Sequence, residues 1–142
     1  MRKFRTLPRS DKLARLVSDQ SGAATVEAVL WLPVFIALFA LLADTALLFG
    51  SQAQTQRIAQ DANRALSVGR FGTGEEAKAT AEAFVRERLA PLSPGATVET
   101  VVESGLITTT VVFPGSDVVA TGLVTAFADL QISVRAQHLS EN

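Results

Sequence analysis

Gly22 and Glu27 stand five residues apart at an abrupt change of character in this chain. Before them lies a basic head; after them lies an almost unbroken apolar run from Ala28 to Phe49. A carboxylate at the lip of such a run is costly unless something uses it. Two readings compete for Glu27: an interfacial carboxylate that marks a helix start, or a charge with a partner to neutralise. Gly22 offers a backbone free of side-chain bulk.

No other constellation in the chain offers chemistry of its own. The single histidine, His138, lies near the C-terminus and has no evident orienting partner, so it reads as an exposed tail residue. There is no G-x-S-x-G elbow and no S-x-x-K motif. Gly69, Gly72 and Gly74 do not form a phosphate loop, because no Lys-Ser/Thr pair follows and no strand precedes them. Glu75, Glu76, Glu82 and Glu87 decorate the solvated face of a helix, with Glu82 and Arg86 at pairing distance. Cysteine is absent, which excludes a disulfide framework, a cysteine metal site and a thiol nucleophile. The residues therefore imply no enzyme activity, no metal, no cofactor and no small-molecule substrate.

Charge is unevenly spread. Residues 1–22 carry six basic and two acidic groups, a net +4, whereas residues 23–142 carry seven basic and twelve acidic groups, a net −5. An acidic main body argues against nucleic acid as its partner. A basic head before an apolar run predicts a cytoplasmic N-terminus and an exported C-terminal part. The run 28–49, at 1.5 Å per residue, spans about 33 Å, enough to cross a hydrocarbon core of roughly 30 Å. Membrane lipid is thus the first expected partner. Trp31 falls near the cytoplasmic edge, where indole rings favour the interface. Pro33 removes a donor and crowds the carbonyl of Val29, which predicts a kink that either is tolerated irregularity or aids subunit packing. Asp44 falls near the exported end, where it is expected to reach into headgroup water; the alternative is a pair with a neighbouring subunit. Phe49 closes the span. The same start followed by Ser51-Gln52-Ala53 also resembles a secretory signal cut after Ala53, as in a secreted or anchored periplasmic binding module. Ordinary signal apolar regions are about 7–15 residues long, shorter than this one, which favours a retained helix.

Beyond the span, Ile58, Ala62, Ala65 and Leu66 fall on one helical face over 51–70, and nothing near Gly50 compels a break. That face packs either on the chain's own sheet or on another subunit. A second helix is predicted over about 75–90, opened by a Thr73-x-x-Glu76 capping box and ended by Pro91. Strands are predicted at Ala96–Val102, Leu106–Phe113 and Leu130–Gln137, with a hairpin turn at Ser104-Gly105. Val118–Ala128 is ambiguous, with Val119, Leu123, Val124 and Phe127 spaced for a helix. The expected fold class is α+β: a long N-terminal transmembrane helix continuing into an amphipathic helix, then a second helix and a small antiparallel sheet. The expected organisation is a basic cytoplasmic leader at 1–22, a transmembrane helix at 23–50 and a small periplasmic domain at 51–142.

The stretch Gly22-Ala-Ala-Thr-Val-Glu27-Ala28-Val-Leu-Trp31-Leu-Pro33, with its basic leader, resembles the TadE/TadF family of minor pilins, or pseudopilins, of the tight-adherence (Flp-type IV) pilus machinery. The resemblance covers residues 15–66. Where the family usually carries an aromatic residue after the glutamate, this chain has Ala28. The resemblance implies a cut between Gly22 and Ala23 by a membrane-embedded prepilin peptidase on the cytoplasmic side. It then implies a role for Glu27 in neutralising the new amine of Ala23 or of a neighbouring subunit. It further implies a single-pass inner-membrane protein with a periplasmic C-terminal domain, and other pilin subunits and the Tad assembly machinery as partners.

Overall fold

A computed structural model describes residues 21–122, 127 and 129–141. Residues 1–20 of the expected 1–22 leader lie outside the described residues. The architecture is α+β, as expected: a long apolar N-terminal helix, a second helix and a three-stranded antiparallel sheet. The chain divides into two units, one ending at Leu38 and one spanning Phe39–Asn142.

Helix α1 runs from Ser21 to Ser67 and continues through Pro33, although that residue cannot donate to the carbonyl of Val29. In the first unit the described side chains from Thr25 to Leu38 are all exposed. They are mainly Leu, Val, Phe and Trp, and they open to the surroundings on every side of the helix. A helix that is apolar all round is built for an apolar surround. It is the one described helix long and apolar enough to cross a membrane.

The second unit has an ordinary core. Within it, α1 buries Ile58, Ala59 and Ala62 against the sheet, and Ala65 and Leu66 are buried beside them. All the residues predicted for the apolar face are therefore inside. The two alternatives for that face are separated here: it packs on the chain's own sheet. Alanine at positions 59 and 62 lets the helix backbone approach closely, with Ile58 and Leu66 on either side of them. Helix α2 (Gly74–Leu89) supplies Val85 and Leu89 to the same cluster. Strand β2 (Leu106–Pro114), the central strand, supplies Val111 and Phe113.

Local chemistry explains the element ends. α1 stops in a Schellman motif: Arg70 N–H donates to the Ala65 carbonyl (2.9 Å) and Gly69 N–H to Leu66 (3.1 Å), with Gly69 at φ +71. The Thr73 capping box does not form, because no side-chain cap bond is made at Thr73. Gly74, the residue after it, sits at φ +79, which turns the chain out of the geometry that a Thr-Glu box needs. Glu75 instead pairs with Lys78 at 2.6 Å. The Ser104-Gly105 turn is as predicted. Both residues have positive φ (51 and 78), the twist of a two-residue type I′ hairpin joining β1 (Thr97–Glu103) to β2 in the register Glu103↔Leu106. Strand β3 (Gln131–Leu139) pairs antiparallel with β2. It extends through His138, which is half-buried opposite Ile107, so the histidine is a strand residue and not part of an exposed tail.

Pro114-Gly115-Ser116-Asp117 turns the chain through a short 3-10 helix at Gly115–Asp117. Gly115 is needed there: a Cβ would collide with the Phe127 carbonyl, and its N–H donates to the Leu130 carbonyl at 2.7 Å. In the ambiguous stretch Val118–Ala128, residues 118–122 form turn and bend without helix, while Leu123, Val124 and two of their neighbours lie outside the described residues, as does Ala128.

Candidate functional site

The residues singled out from the sequence fall in two separate places on α1. Gly22 lies in α1, exposed, with open space where a Cβ would stand. Ala23 follows it in the same helix. Glu27 is exposed one turn further on. Together with Ala28, Trp31 and Phe35 it lines a shallow, mainly apolar surface. The Trp31 and Phe35 rings are 6.4 Å apart at 45°. Helical spacing accounts for this grouping, since positions 27, 28, 31 and 35 recur at three and four residues. Pro33 is exposed, and Phe49 is exposed by 68%.

Asp44 behaves differently. It was expected to reach into headgroup water, yet it is fully buried, and Ala40 one turn earlier on the same face is covered too. Its Oδ1 accepts the Ala120 N–H (3.0 Å) and the Thr121 N–H (2.9 Å), and its Oδ2 accepts the Thr121 hydroxyl (2.5 Å). The carboxylate is satisfied by the chain's own loop. Gly122, at φ +60, turns the chain immediately beyond the two donors.

A third group of polar residues was not anticipated. Asn63 on α1 donates through Nδ2 to the Ala136 carbonyl on β3 (2.9 Å), and its Oδ1 accepts the Thr109 hydroxyl from β2 (2.6 Å). Thr109 has only one hydroxyl proton, so Thr100 on β1 must be the donor in the 2.9 Å contact between the two threonines. Thr100 N–H in turn donates to Glu82 Oε1 on α2 (2.8 Å). Glu82 Oε2 accepts from Arg86 Nη2 at 2.8 Å, and the same nitrogen reaches the Val98 carbonyl at 3.2 Å. The Glu82–Arg86 pair is thus present, but it serves more than a solvated face: it satisfies backbone groups on the edge strand β1. One chain of hydrogen bonds links both helices to all three strands. The sequence held a hint of it, a polar Asn63 between the apolar-face residues Ala62 and Ala65 and a Thr at an inward strand position, but only pairing shows that these meet.

Residues 22–64 match the family model described as TadE-like protein. This segment is TadE-like. The match begins at Gly22, takes in Glu27, Pro33, Asp44 and Asn63, and points to a Tad pilus-related protein. It is narrower than the 15–66 expected from the motif, and α2 and the sheet lie beyond it. No curated protein and no solved structure matches the chain.

Proposed function

We propose that this chain is a minor pilin-like subunit that helps assemble a Flp/Tad-type pilus. In this reading α1 anchors it in the bacterial inner membrane, with residues 1–22 as a cytoplasmic leader, 23–50 as the span and 51–142 as a periplasmic domain. Its role is structural and not catalytic; its partners are membrane lipid, a prepilin peptidase, other pilin subunits and the assembly machinery. The observation that carries the reading is the TadE-like match from Gly22 through the apolar helix.

The mechanism follows from the first turns of α1. Gly22 has low helix propensity, so a peptidase can draw the segment into an extended form at little cost. Hydrolysis of the Gly22–Ala23 bond leaves a carboxylate on Gly22 and a cationic amine on Ala23. Glu27 lies four residues on, about 6 Å along the helix axis, on the same face as Ala23. Poorly hydrated surroundings strengthen the attraction between that carboxylate and an amine, whether its own or a neighbour's. A cut after Ala53 would instead divide a continuous helix and remove Asp44 from Ala120 and Thr121, which supports retention of the helix.

Mass spectrometry of the native protein is expected to place the mature N-terminus at Ala23; a chain starting at Met1 or Gln54 overturns the reading. Glu27→Ala is expected to leave membrane insertion intact and to reduce processing or piliation. Normal piliation in that variant would sink the role assigned to Glu27.

A further inference from the structure

Asp44 lies five residues before Phe49, so it sits about 7.5 Å inside the exported end of the apolar run. Two backbone N–H groups and a hydroxyl from Ala120 and Thr121 are bound to it. Those residues are therefore held at the depth of position 44, within the roughly 5–10 Å over which interfacial segments enter the headgroup and acyl boundary. The composition of the segment suits that depth. Residues 118–128 carry no charge, although Asp117 and Asp129 bracket them. Ala120, Thr121 and Gly122 are exposed, and Leu130 just beyond is exposed by 48%. A carboxylate facing bulk water has no need of such a clamp. One that sits below the water does, because an unsatisfied charge there is strongly unfavourable.

We propose that the Ala120–Thr121 turn is a second membrane contact of this protein: the exported domain rests on the lipid interface there, and Asp44 holds the turn down. The inference depends on the proposed anchor. Its occupant is the headgroup and acyl boundary of the bilayer around α1, chosen because the clamp ties the turn to the very helix that spans. Asp44 then has two effects. It removes a buried charge problem from the span, and it fixes the height and rotation of the domain above the membrane.

Because the chain has no cysteine, single nitroxide labels can be placed without background. The full chain would be reconstituted in vesicles of mixed zwitterionic and anionic phospholipid. Labels at Phe39→Cys, Ala120→Cys and Glu103→Cys would then be compared for collision with oxygen, which concentrates in lipid, and with a water-soluble nickel chelate. Phe39→Cys is expected to favour oxygen and Glu103→Cys the chelate. Ala120→Cys is expected to side with Phe39→Cys, with the nickel collisions seen at Glu103→Cys largely lost. Adding Asp44→Leu to Ala120→Cys is expected to restore nickel access. If Ala120→Cys behaves like Glu103→Cys while Phe39→Cys reads lipid, the second contact is overturned and the anchor stands. An aqueous signal at Phe39→Cys removes the anchor and the inference with it. Protection of Ala120→Cys that fades as the protein is diluted in lipid identifies another copy of the chain as the occupant and also overturns the proposal. The Asp44 background alone decides the matter if Asp44→Leu fails to fold.

Discussion

Between Val26 and Phe39, α1 leaves Val29, Leu30, Trp31 and Phe35 at least half exposed. Between Ser51 and Ser67 the same helix buries Ala59, Ala62 and Asn63 to 1% or less. The first stretch is large and apolar on all sides; the second mixes alanines with Ile58 and Leu66 on its inner face and carries a buried polar group, Asn63, with partners of its own. Backbone hydrogen bonding is common to both, so it does not distinguish them. What differs is the surround each is made for. A lipid-like medium accepts any rotation of an apolar helix, whereas a packed core of close-fitted side chains accepts one. The contrast teaches that the second stretch carries the specificity of the fold and the first carries its affinity for an apolar phase.

Substitutions can break or sharpen that contrast. The largest effect is expected at Phe113, almost fully buried on the central strand. Phe113→Ala should destabilise the domain by about 3–5 kcal/mol, read from chemical unfolding of the detergent-solubilised chain. Asn63→Ala comes next. It removes the donor to the Ala136 carbonyl and the acceptor of the Thr109 hydroxyl proton in a buried site, and a loss of about 2–3 kcal/mol is expected by the same measurement. A loss no larger than that of an exposed substitution would show that the polar chain across the core contributes nothing to stability. The smallest effect is expected at Leu30, on the exposed stretch, where Leu30→Ala should leave the unfolding midpoint of the domain within about 0.5 kcal/mol. A larger change there would mean that the bare half of α1 takes part in the core, and the contrast would fail.

Much of the fold was legible because its signals are local. The amphipathic face of Ile58, Ala62, Ala65 and Leu66 follows from helical spacing, and the Ser104-Gly105 hairpin follows from two residues that accept positive φ. The capping box failed for a local reason too: Gly74 at positive φ outweighs the Thr73-x-x-Glu76 pattern. Gly22, Glu27 and Pro33 could be singled out from the sequence because they lie within one contiguous stretch, which falls inside the matched segment. Asp44 and Asn63 were not legible in the same way. Each has a partner more than seventy residues away, and no spacing rule connects them.

The sequence by itself determined the long apolar helix, its basic approach, the glycine-glutamate junction and the alternation of the three strands, because each depends on neighbours within a few residues. The tertiary structure decided which groups cover the polar atoms that those patterns leave over. Asp44 finds Ala120 and Thr121, Asn63 finds Thr109 and Ala136, and Thr100 finds Glu82. A buried polar atom must be satisfied by whatever the fold brings within hydrogen-bond reach, and that depends on chain topology and not on local pattern.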